Sequence, residues 1–260
     1  MVSPDRIILL AALAALGVSC RSGPPPAIDP ALAASVPPGA TILAGVHLDR
    51  VRASPLYRQF PAAASGFLDS LGQARSVLVA SDGARYLVLS RGDFRVAPAG
   101  ATLLGQGLAA MGSPDWLEAD RHGGEGAGKN ALLARAAPIA ATADIWLAAA
   151  GGANLPVSGN GENLNNLLHA TQYATLSVRL TDSLALEVVG MCPGPEQARR
   201  LEETVRAFIG IGAGATARQP AISGLLRRIQ VTRDGSAVHV VLAAQAAELQ
   251  TVLKLLGIGS

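Results

Sequence analysis

Within residues 123–130, Gly123, Gly128 and Lys129 fall at the spacing G-x-x-x-x-G-K. That spacing cradles a nucleotide's phosphates when it joins a buried strand to a helix. Two requirements of that chemistry are missing. The position after the lysine should offer a hydroxyl to Mg²⁺, and Asn130 stands there. The stretch before it should be a buried strand, and it carries Glu118, Asp120 and Arg121. A glycine-rich flexible loop is the better reading. Residues 105–110, GQGLAA, fit G-x-G-x-x-A, but no acidic residue follows in the βαβ context that a dinucleotide site needs. Residues 210–215, GIGAGA, close a helix where such a fold would open one. No nucleotide and no cofactor is expected.

The other reactive side chains are scattered. Of His47, His122, His169 and His239, only His47 has a candidate co-ligand nearby, Asp49, and on a strand the two would share a face. Polar positions on half-buried strands account for these histidines more simply, so no metal site is expected. There is no G-x-S-x-G elbow, and no catalytic residue is assigned. Glu202 and Glu203 with Arg199, Arg200 and Arg206 read as a solvated helix face, each pair contributing a few tenths of a kcal/mol. Trp146 lies in an apolar run and reads as core. Trp116, at the edge of the glycine loop, is either a loop anchor or a contact for a partner, and it is the one candidate partner contact.

The two cysteines differ in setting. Cys192 ends an apolar strand-like run and reads as a buried, inert thiol. Cys20 follows a start with one basic residue, Arg6, an apolar run over residues 7–16, and the small residues Gly17, Val18 and Ser19. The run is long enough for a signal core and too short for a membrane span of roughly 20 residues. Residues 17–20 resemble a bacterial lipobox, with Gly17 where leucine is usual. The resemblance implies cleavage before Cys20 and acylation of its sulfur, an anchor that gains about 0.8 kcal/mol per buried CH₂. With Cys20 acylated, Cys192 has no disulfide partner in the chain.

These residues need elements to hold them. Residues 1–19 are read as the signal peptide. Residues 20–38, rich in proline, are read as a tether, extended at about 3.1 Å per residue. The remainder divides into halves at 39–137 and 138–260. Half of the chain is hydrophobic but only 3% is aromatic, so the core must be aliphatic. With 21 basic and 19 acidic residues, no field points to nucleic acid.

In the first half, residues 41–48 predict a strand, 65–71 a short helix, 76–80 and 85–90 a hairpin across Asp82-Gly83, and 102–111 a helix. Residues 112–130 predict a loop and 131–137 a helix. In the second half, 144–150 predict a strand, 162–170 a helix, 173–180 and 184–191 a hairpin, and 195–211 an amphipathic helix. A helix (221–228), a hairpin (229–232 with 237–243) and a closing helix (246–256) complete it. The expected class is α+β, with antiparallel sheets of hairpins, helices on one face, and strand, helix, hairpin, helix occurring twice.

The stretches ATILAGVHLDRVRASPLYRQF and ADIWLAA resemble a bacterial envelope lipoprotein family. These motifs are structural, and the resemblance implies no activity. The expected function is that of a non-catalytic lipoprotein facing the periplasm or exterior, anchored to a membrane and binding an envelope protein partner. The alternative is a small-molecule or lipid binder with a cleft between the halves. Mass spectrometry of the protein from native membranes is expected to show Cys20 as the acylated N-terminal residue. An intact leader or an unmodified sulfur contradicts the assignment.

Overall fold

The computed structural model describes residues 27–59, 72–98, 100–105, 107–121, 129–155 and 161–255. Cys20, His122, residues 65–71 and most of 123–130 lie outside them. Ten strands form one antiparallel sheet, so the chain is α+β as its hairpin signals imply. The strands are β1 (Ile42–His47), β2 (Ala74–Ser81), β3 (Tyr86–Gly92), β4 (Thr102–Gly105), β5 (Leu108–Gly112), β6 (Ile145–Ala150), β7 (Tyr173–Leu180), β8 (Ser183–Met191), β9 (Gln230–Asp234) and β10 (Ala237–Gln245). Their order across the sheet is β4-β5-β3-β2-β1-β6-β7-β8-β10-β9. Eight α-helices are described: α1 (Pro30–Ala34), α2 (Leu48–Ala53), α3 (Pro114–Arg121), α4 (Ala131–Thr142), α5 (Gly161–His169), α6 (Pro195–Ala215), α7 (Pro220–Arg227) and α8 (Ala246–Leu255).

The turns follow their residues. Asp82 Oδ1 accepts from the backbone N–H groups of Ala84 and Arg85, and Gly83 takes φ +95° between them. Between β9 and β10, Gly235 follows Asp234 and takes φ +55°.

The two halves join by antiparallel pairing of β1 with β6, which sets Gly45 opposite Trp146. A methyl at Gly45 would lie 2.2 Å from the indole, so glycine is what lets the ring lie flat on β1. On that side of the sheet Trp146 joins Leu43, Leu78, Leu87 and Leu89, under Leu32 of α1, Trp116 of α3 and Ala136 and Ala140 of α4. On the opposite side, Leu167 of α5 and Leu201 of α6 pack with Val231 and Val238. The long helices of each half thus cover a single face, but the halves use opposite faces. Strand, helix, hairpin recurs on either side of the joint.

Four expectations change. Residues 102–112 form a hairpin, β4–β5, because Gly107 takes φ +68°, and a Cβ there would lie 2.5 Å from the Gly92 carbonyl oxygen. Residues 114–121 are helical, where a loop was expected. The tether does not extend to residue 38: Leu32 and Val36 are 2% and 0% exposed. The boundary at 137/138 falls inside α4, which runs through Pro138.

Asn130 ties down the N-terminal segment that was read as tether. Its Oδ1 accepts from Leu132 N–H at 2.9 Å, capping α4. Its Nδ2 donates to the carbonyls of Pro37, Pro38 and Ala40 at 3.1, 3.3 and 2.7 Å. The residue standing where a phosphate loop carries its hydroxyl is fully engaged in structure.

Gly45→Ala is expected to cost about 2–3 kcal/mol or more by urea denaturation, the price of overpacking at a rigid ring. Gly105→Ala, where an added carbon meets nothing within 4 Å, is expected to be nearly neutral. Equal losses at the two sites would contradict this account of the joint.

Candidate functional site

The sheet face under α5 and α6 presents two rows of side chains in register. Leu147, Leu176, Val188 and Val240 lie opposite one another across β6, β7, β8 and β10. Two residues along, Ala149, Ala174, Gly190 and Val238 form the next row. The second row is small on three of its four strands. Ala149, Gly190 and Val238 of the second row are buried, with Leu201 and Thr171 close over Gly190, while the larger residues of the first row are only half-buried.

Over the two rows lies a chamber of about 360 Å³, open on one side. Its roof is Leu164, Leu167 and Leu168 of α5, at helical spacings of three and four, with Leu201 and Val205 of α6. Among the described residues, no charged side chain lines it. Thr171, at one end, turns its hydroxyl away by donating to the Leu168 carbonyl at 2.7 Å. The chamber lies wholly in the second half, not in a cleft between the halves.

Polar contacts position α5. Asn165 Oδ1 accepts from Leu155 N–H at 2.8 Å, and the His169 ring N–H donates to the Ala153 carbonyl at 3.2 Å. On α6, Arg199 holds Glu196 at 2.8 Å and Glu203 at 2.6 Å. The hydrogen bond and charge of Arg199 push the Glu196 carboxyl down to about 2, so it stays ionised. Glu202 pairs with Arg206 and with Arg233 of β9. The expected solvated face is therefore a chain of ion pairs.

The side chains singled out in the sequence do not converge. Trp116 is 6% exposed and sits in the core, with the Arg85 guanidinium 4.9 Å from its ring centroid. Arg85 is held there by Asp82 and Asp115. The expectation of a partner contact at Trp116 is corrected: helix α3 turns the indole inward. Cys192 is buried, and burial pushes its thiol pKa up. The ring N–H of His47 donates to the Ala140 carbonyl at 3.0 Å, and burial lowers its pKa. Asp49 belongs to the first turn of α2, off the strand the pair was expected to share. His239 lies 3.2 Å from Glu187 on a part-exposed strand face. Among the described residues, no three His, Cys, Asp or Glu side chains could hold a metal, and no helix is long and apolar enough to cross a membrane.

Sequence reasoning missed the chamber. The available signal was Gly190 inside an otherwise apolar strand, a pattern that marks close approach of another group.

No family model and no curated protein sequence matches this chain. Among solved structures it is similar to TP0453. Crystal form III aligns with a TM-score of 0.50 at 10% identity, over 88% of this chain and 98% of that one. Forms I and IV align at 0.47 each, also at 10% identity, over 90% and 85% of this chain and 98% and 95% of those. At that identity, the likeness to form III shows the fold alone.

Proposed function

We propose that this protein is a non-catalytic binder of a hydrocarbon chain, held at the cell envelope by an acylated Cys20. The observation that carries the reading is the chamber, walled by carbon from four strands and two helices. A pocket of a few hundred Å³ with an apolar lining is the usual form of a small-molecule site. A methylene needs about the volume share of a water, roughly 30 Å³, so the chamber suits a single chain of about a dozen carbons. Burying such a chain contributes about 0.8 kcal/mol per methylene. After the costs of association, affinities on the order of 10 µM are expected.

The lipid anchor and the envelope location rest on residues 1–20 of the sequence. An anchor at a bilayer would place the chamber close to a supply of hydrocarbon chains. The reading in which a protein partner is bound has less support, because Trp116, its candidate contact, is interior.

The test uses the full chain carrying Cys20→Ser, which stays unacylated, and the fluorescent probe N-phenyl-1-naphthylamine. Saturable binding at one site, displaced by dodecanol, is the expected result. Ala174→Leu, which fills the chamber from its floor, is expected to weaken probe binding at least about tenfold while leaving Tm unchanged or raised, since it adds apolar contacts where space exists. No saturable binding, or equal binding by Ala174→Leu, overturns the proposal.

A further inference from the structure

A groove of about 270 Å³ runs between α5 and α6 on the outer side of the chamber. Its walls are Asn163 and Asn166 from α5, and Gln197, Arg200, Thr204 and Phe208 from α6. Leu167 and Leu201 line both the groove and the chamber and pack together between them. Polar side chains from both helices at a groove beside an apolar chamber, with one leucine pair between the two, match the polarity pattern of an amphiphile.

The charge of the groove names the head. Among the described residues one charged side chain lines it, Arg200, and it is positive. Arg200 is weakly engaged: only its Nε approaches Glu196, at 3.4 Å. Glu196 is claimed instead by Arg199, at 2.8 Å. The terminal nitrogens of Arg200 donate to nothing among the described residues. A guanidinium with its fork free is suited to a carboxylate or phosphate, which it meets through two parallel hydrogen bonds.

We infer that the groove is the head-group site for the chamber's ligand. It takes the carboxylate or phosphate of a single-chain anionic amphiphile, whose tail passes between Leu167 and Leu201. Arg200 supplies the charge, and the amides of Asn163, Asn166 and Gln197 supply further donors. The inference rests on the proposed hydrocarbon-binding function and adds the class of ligand to it.

Isothermal titration of the full chain carrying Cys20→Ser, with dodecanoate, dodecanol and dodecyltrimethylammonium, tests it. Dodecanoate is expected to bind about tenfold tighter than dodecanol, the size of one charge-assisted contact, and the cation more weakly than either. Arg200→Gln is expected to bring dodecanoate to the level of dodecanol and to leave dodecanol unchanged. Arg200→Lys, which keeps the charge, is expected to retain part of the preference. If dodecanol binds while dodecanoate shows no preference, or if Arg200→Gln leaves the preference intact or weakens both ligands equally, the head-group site falls and the hydrocarbon site stands. If none of the three binds, both fall.

Discussion

The chamber depends on one steric constraint: large and small side chains alternate in rows across four paired strands. Leu147, Leu176 and Val188 stand beside Ala149, Ala174 and Gly190, and strand pairing fixes which stands next to which. Close-packed interiors normally interdigitate large against small from facing layers. Here the facing helices cover most of the small row, with Leu201 close over Gly190, and leave the large row half-buried. Space that better packing could have removed is retained beside a helix held by Asn165, His169 and Thr171 through bonds to backbone. A roof fixed at a few polar points, with Leu164 exposed at its edge, can move at less cost than one locked by packing.

The rest of the molecule supplies the rigidity this half lacks. Trp146 lies across Gly45 at the joint of the sheet, and the largest apolar cluster gathers around it on the other face. With so few aromatics, one ring at the centre and Trp116 at the edge organise a core of leucine, valine and alanine. Placing the long helices of the two halves on opposite faces separates a tightly filled layer from a hollow one within one sheet. The N-terminal segment belongs to the filled layer, since Asn130 binds three of its carbonyls.

Local signals were legible in the sequence. Strands β7 and β8, the Asp-Gly turns and the amphipathic face of α6 follow from alternation, turn chemistry and helical spacing, each decided within a few residues. Residues 102–112 were misread because Leu103, Leu104, Leu108 and Ala109 also satisfy a helical period; the positive φ at Gly107, which decides for a hairpin, is visible only in the fold. Leu32 and Val36 are apolar residues among prolines, and composition alone made them tether. The chamber was illegible for a deeper reason. Ala149, Ala174 and Gly190 are each unremarkable in their strands, and only the register of two pairings, β6 with β7 and β7 with β8, sets them side by side.

The central claim is that this chamber, and no other part of the protein, receives a hydrocarbon chain. Methyl NMR of the full chain with labelled leucine and valine, titrated with dodecanol, tests it most directly. The account requires saturating shifts at Leu147, Leu176, Val188 and Val240, with Leu43, Leu87 and Leu89 unmoved in the filled layer. Shifts spread evenly over both layers, or none at the four chamber positions, would contradict it.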